Sequence, residues 1–229
     1  MPVLDVEVRT PKAHRDWAPD RGGRPPGPPE HRGGDGDDES QPDSEGRPLS
    51  NARLGMLMLL GGETVFFAGL IVAFLQLRLG AAVWPPPGQP RLPIGLTAVN
   101  TLVLVASSWA LARALRAVRT GDRAGLVRWL GRTWSLGALF LMIQGIEWTR
   151  LVHFGLRVSS GIYGATFYTL IGVHGAHVLG AAAWLGMMVW LARRGRFTTD
   201  RHVPLDCCAM YWHFVVALWP VLYVLVYLV

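Results

Sequence analysis

The sequence predicts an all-α, polytopic membrane protein with five transmembrane helices and a disordered N-terminal tail. Three observations carry that prediction. Beyond Arg53 the chain contains five apolar runs, at about 54–78, 94–118, 129–153, 161–192 and 206–229, each long enough for the roughly 20 residues that a bilayer crossing needs. These runs are apolar nearly all round, whereas a soluble helical bundle would show polar faces at a period near 3.6. Charge is divided sharply: residues 54–229 keep five carboxylates (Glu63, Asp122, Glu147, Asp200, Asp206) against 14 arginines.

Residues 1–53 hold 11 of the 16 acidic residues, 8 of the 22 basic ones and 9 of the 16 prolines. A segment with runs such as RPPGPPE and GGDGDDES cannot bury enough apolar surface to offset its ordering entropy, so a disordered tail is expected. It lacks an apolar stretch after a basic start, so it does not read as a signal peptide. Residues 54–229 form the membrane domain. Twelve arginines fall at the tail end of the first helix and around the loops joining helices 2–3 and 4–5, against Arg78, Arg91, Arg150 and Arg157 on the other side. The positive-inside rule then places the N-terminus in the cytoplasm and the C-terminus outside. Topology accounts for the basic pI, and no nucleic-acid partner is implied.

In the first helix, Glu63 lies about ten residues in, roughly 15 Å of rise from the end. An ionised group at the bilayer centre costs at least about 2.5–3.5 kcal/mol, so Glu63 is a functional candidate. Two readings stand: a proton-exchanging carboxyl, or a protonated acid hydrogen-bonded between helices. The following WPPPGQPRLP is too rigid for a helix and is expected to cap the outer face. In the third helix, Glu147 is followed by Arg150, and an intrahelical ion pair at the interface is expected.

The fourth helix has two faces. At about 100° per residue, Gly172, Ala176 and Gly180 align with Ala165 and Ala183 as a small-residue stripe of the kind that lets helices approach closely. Tyr163, Thr166, Phe167, His174 and His177 gather on another side, a row of hydroxyls and imidazoles expected to bond neighbouring helices. A zinc site wants about four ligands, usually including Cys, Asp or Glu, and His174 and His177 supply two. Bis-histidine haem ligation with His213 is the competing reading, but no carboxylate is evident to orient such ligands. In the fifth helix, Tyr211, Trp212 and His213 near one interface and Tyr223 and Tyr227 near the other read as aromatic belts, and Pro220 is expected to kink the helix. Cys207 and Cys208 are adjacent, a poor geometry for a disulfide, and read as small apolar fillers.

Five blocks in order, GETVFFAG, WPPPG with LTAVNTLVL, QGIEW, GIYGATFYTLIGVHGAHV and YWHFV, resemble subunit III of the haem-copper terminal oxidases, the cytochrome c and quinol oxidase family. The resemblance spans residues 54–229. It implies a non-catalytic subunit of a proton-pumping oxidase in a bacterial cytoplasmic (inner) membrane. Such a subunit packs beside subunit I with subunit II nearby, binds structural phospholipid and supports proton uptake. Haem and copper are expected in subunits I and II and none on this chain. Glu63 matches the family's buried, carbodiimide-reactive acid. His174, His177, His213, Tyr163, Thr166, Glu147, Trp84 and Trp212 are then expected to make hydrogen-bonding, lipid or helix contacts, with Gly172, Ala176 and Gly180 as packing positions. Two departures stand out. The first two helices of the seven-helix members are missing, as in the shorter bacterial members, and Val216 replaces a usual Asp. The alternatives are a subunit-III-like partner of a nitric oxide reductase, or a small haem- or metal-binding membrane redox protein.

Overall fold

A computed structural model describes residues 50–87 and 94–228. Five α-helices make up nearly all of it: α1 (Asn51–Leu79), α2 (Ile94–Arg119), α3 (Arg123–His153), α4 (Ile162–Arg193) and α5 (Val203–Tyr223). The expected disordered tail lies outside the described residues except at its end, where the boundary shifts. The Ser50 hydroxyl accepts the Arg53 amide at 3.4 Å, which starts α1 at Asn51 rather than after Arg53.

Three of the helices end in the same way. After α2, α3 and α4 a glycine with positive φ (Gly121 at 74°, Gly155 at 91°, Gly195 at 70°) lets the chain reverse. The next amide returns to the carbonyl five residues back, as in Asp122 to Ala117 (2.9 Å), Leu156 to Leu151 (3.0 Å) and Arg196 to Leu191 (3.1 Å). This Schellman arrangement satisfies carbonyls that a helix end leaves open. Asp122 then caps α3 at once, its Oδ1 accepting the Gly125 amide at 2.8 Å. Short, capped reversals make successive helices antiparallel neighbours.

Contacts at the two ends of the bundle establish that alternation. At one end, the starts of α1 and α5 and the finish of α2 meet, because Arg53, His202 and Arg119 converge on Asp206. At the other, the finish of α1 meets that of the final helical segment through Arg78 and the Leu225 carbonyl (3.0 Å). The start of α2 there meets the finish of α3 through Thr97 and Glu147 (3.1 Å). Four of the five helices, α1, α2, α4 and the Val203–Leu228 stretch, are long and apolar enough to cross a membrane. The fifth, α3, runs between α2 and α4 over 31 residues, about 46 Å of rise, and buries the polar side chains of Thr133, Gln144 and Glu147. The chain is a multi-pass membrane protein.

Within a bilayer, water exclusion does not drive helices together; close van der Waals packing and interhelical hydrogen bonds do. The core shows both. Trp212, fully buried, lies against Gly137 of α3, where even a Cβ would collide with its ring. Trp219 packs edge-on to Phe140 at 5.2 Å. Cys207 and Cys208 are buried free thiols, as expected of fillers. Helix α1 is peripheral: only Met56, Phe67 and Phe74 of its 29 residues are buried. Past Pro220 the last helix widens into a π-helical turn at Val224–Leu228.

Candidate functional site

The carboxyl of Glu63 on α1 meets the imidazole of His177 on α4, with Oε2 and Nε2 3.1 Å apart. The other ring nitrogen, Nδ1, lies 2.7 Å from the Val173 carbonyl one turn back. A carbonyl can only accept, so Nδ1 carries the hydrogen. A neutral ring then presents a lone pair at Nε2, and the proton between the two groups belongs to the carboxyl. If that proton moves, the pair becomes carboxylate and imidazolium. Either arrangement, neutral acid with neutral ring or carboxylate with imidazolium, would leave the contact with no net charge. Phe67 (5.1 Å) and Phe66 (6.2 Å) flank the imidazole, and each partner side chain retains about one fifth of its exposure. Sequence reasoning singled out both residues without pairing them. Helical spacing orients His177 on α4 but says nothing about which helix docks there.

A second polar group lies at the end of the bundle where α2 begins. Glu147, 1% exposed, accepts from Thr97 Oγ1 (3.1 Å) and from Gln144 Nε2 (3.1 Å). The expected ion pair with Arg150 is not formed: no Arg150 nitrogen lies within 4.0 Å of the carboxylate, and Arg150 is exposed. The physical reason is register, since Gln144 one turn earlier and Thr97 across on α2 both face the interior side of Glu147. Asn100 extends this polar zone by donating to the Phe140 carbonyl at 3.2 Å.

The polar row predicted on α4 exists, but aromatic contact dominates it. His174, 1% exposed, stacks on Trp219 at 5.1 Å and 23°. Tyr163 meets Trp84 edge-on at 5.1 Å, and Trp84 also touches Phe74. Thr166 bonds only within its own helix, to the Ile162 (2.7 Å) and Tyr163 (3.1 Å) carbonyls, so it does not bridge helices as expected. The small-residue stripe is also corrected. Ala176 and Gly180 are exposed, a Cβ on Gly180 would meet nothing within 4 Å, and Gly172 and Ala176 line a groove of about 400 Å³ between α3 and α4 with Gln144, Trp148 and His174. Gly172 faces α3, where a Cβ would lie 3.8 Å from the Trp148 ring, whereas Ala176 and Gly180 turn outward. Glycines off the predicted stripe admit the close neighbours: Gly137 of α3 meets Trp212, and on α4 a Cβ at Gly186 or Gly175 would lie 3.0 Å or 3.3 Å from the rings of Trp134 and Trp148.

Helix α5 is bonded to α2 by a ladder of which sequence reasoning named Trp212 and His213 but neither Trp219 nor the partners on α2. Trp219 Nε1 donates to Thr101 Oγ1 (2.9 Å), Trp212 Nε1 donates to Ser107 Oγ (3.1 Å), and His213 Nδ1 lies 2.5 Å from Ser108 Oγ. Trp212 is therefore a core residue and not part of an interfacial belt, and the same holds for Tyr227, which is buried. The signal was present in three hydroxyls of α2 inside an apolar run. Asp206 was also missed as a hub, since its two arginine partners lie 153 and 87 positions earlier in the sequence. Among the described residues, no three His, Cys, Asp or Glu side chains converge as a metal ion would require. His174, His177 and His213 face three different partners.

Comparison with known proteins gives consistent similarities. The family model described as cytochrome c oxidase subunit III matches residues 48–229. A cytochrome c oxidase subunit 3 from Synechocystis sp. is 34% identical over 175 residues, covering 76% of this chain and 74% of that protein. A probable cytochrome c oxidase subunit 3 from Nocardia farcinica is 35% identical over 176 residues, with 77% and 87% covered. The Sus scrofa cytochrome c oxidase subunit 3 is 32% identical over 181 residues, with 76% and 68% covered.

Proposed function

The chain belongs to the cytochrome c oxidase subunit III family, and from that premise we propose that it is the non-catalytic third subunit of a proton-pumping haem-copper oxidase, stabilising subunit I beside subunit II, binding lipid and supporting proton uptake. The observation that carries this reading is the Glu63–His177 pair. It keeps a movable proton within the membrane at no net charge, avoiding the cost of at least about 2.5–3.5 kcal/mol that a lone ion incurs at the centre of a bilayer. Such a pair can hold or pass on a proton without a prosthetic group. Haem and copper belong to the partner subunits, and this chain's histidines serve as helix contacts. The basic end of the bundle faces the cytoplasm of a bacterial cell whose inner membrane holds the complex.

Purification in mild detergent through a tag on this chain tests the reading. Subunits I and II should accompany it, and the chain expressed alone should be colourless. A Soret band or stoichiometric metal on the isolated chain would overturn the proposal in favour of a small redox protein. Recovery with nitric oxide reductase subunits would reassign the complex.

A further inference from the structure

The groove between α3 and α4 has a volume of about 400 Å³, within the range of ordinary small-molecule sites. Phe140, Trp148 and Trp219 wall it with aromatic rings, and Gly145, Gly172 and Gly175 leave bare backbone between them. It opens sideways from the bundle, because Gly145, Ala176 and Leu179 of its lining are exposed. By rise from the end where α3 finishes and α4 begins, it extends from about 8 Å at Trp148 to about 26 Å at Leu179. Both helices are about 46–48 Å long by the same measure, against a hydrocarbon core of about 30 Å. The groove therefore lies at hydrocarbon depth, below the level of lipid headgroups. None of its lining residues is Asp, Glu, Lys or Arg.

Two of the lining side chains leave polar atoms without a hydrogen-bond partner among the described residues. Trp148 Nε1 is buried and unbonded, and so are both ring nitrogens of His174, which is 1% exposed. Buried polar atoms are bonded in the great majority of cases, so three unmatched nitrogens at the wall of one apolar groove point to a guest. Indole is a donor only, whereas a neutral imidazole offers one N–H and one bare nitrogen. The complementary guest is uncharged, flat enough to lie on glycine backbone between aromatic rings, and able both to accept and to donate. A ring hydroxyl does both, while a carbonyl or an ether only accepts. We propose that this groove binds a neutral lipophilic phenol drawn from the bilayer. Its hydroxyl donates to His174 and accepts from Trp148, its ring lies against the groove's aromatic walls, and its hydrocarbon tail leaves past Ala176 and Leu179. The proposal requires a membrane-spanning bundle and not a place in an oxidase, so the two can fail separately.

The test measures binding of 4-decylphenol to the full chain in phosphatidylcholine nanodiscs, against nanodiscs without protein. Saturable binding of one molecule per chain is expected. At about fivefold for each neutral hydrogen bond, 4-decylanisole, which accepts but cannot donate, should bind about fivefold more weakly, and decylbenzene about twenty-five-fold. His174→Phe keeps a ring against Trp219 and should erase the preference for phenol over anisole. Trp148→Phe should weaken both by about fivefold and leave decylbenzene unchanged. Ala176→Phe fills the groove from its exposed edge and should abolish binding, whereas Val65→Phe, at an exposed site on α1, should have no effect. If Ala176→Phe fails to fold by circular dichroism, the three probes on the unmodified chain decide the matter alone. A histidine that serves packing only would shift thermal unfolding in His174→Phe and leave the phenol preference intact, which would overturn the proposal. So would equal binding of the three probes, uptake no greater than that of protein-free nanodiscs, or an equal loss in Val65→Phe and Ala176→Phe.

Discussion

Gly137 and Gly180 are both helical glycines, yet a methyl group has opposite consequences at the two. At Gly137 a Cβ enters the ring of Trp212, and Trp212 is fully buried and cannot withdraw. Gly137→Ala should therefore destabilise the bundle by about 1–3 kcal/mol through overpacking. At Gly180 nothing lies within 4 Å, so Gly180→Ala should be neutral or stabilise by up to about 1 kcal/mol through reduced backbone entropy. Thermal unfolding of the two variants in one detergent checks both, and the reverse order would mean that the stripe on α4 is packed after all. Glu63 also makes a prediction at this scale. Glu63→Gln can donate an amide hydrogen to His177 Nε2, so the helix contact should persist while carbodiimide labelling of the chain disappears. Labelling at the original level would place the reactive acid elsewhere.

Among the helices, α1 depends on few attachments, and Asp206 anchors its first turn through Arg53 while also facing Arg119 and His202. Asp206→Asn removes the charge that those groups share. Hydrogen exchange should then accelerate in the first turns of α1 by about tenfold or more, consistent with the 1–3 kcal/mol of leaving such partners unmatched, while α3 and α4 stay protected. Uniform acceleration in all helices would show that Asp206 supports the whole fold and not one helix. The α2–α5 ladder makes a smaller claim: Thr101→Val should cost about 0.6 kcal/mol, the average for a hydrogen bond between membrane helices. Unchanged stability of that variant would show that Trp219 finds another acceptor. The existence and extent of these helices were legible in the sequence, because apolar runs of this length have few alternatives and glycine marks three of their ends. Pairing was not. Glu63 and Glu147 stood out as costly residues, but Thr97, Ser107 and Ser108 look unremarkable until α2 is placed against its neighbours, and Glu147 was assigned to Arg150 because local spacing is all that a sequence displays.

For the whole molecule, the alternation of helices follows from contacts at both ends, and no described contact that joins helices involves a residue before Arg53. Removal of residues 1–45 should leave the five-helix domain assembled with its partner subunits, and loss of co-purification would make the tail a structural element. Most side chains of α1 are turned outward, with Met56, Phe67 and Phe74 buried.

The pairing of Glu63 with His177 also bears on energisation. Proton transfer between them displaces a unit charge by about 3 Å, sideways from one helix to its neighbour, whereas a full crossing of the bilayer is about 30 Å. A potential of 100 mV does about 2.3 kcal/mol of work on a charge carried all the way across, so it can bias this short lateral hop by at most about 0.2 kcal/mol. The occupancy of the two sites is thus nearly blind to whether the membrane is polarised, and local hydration or lipid contact would govern it instead.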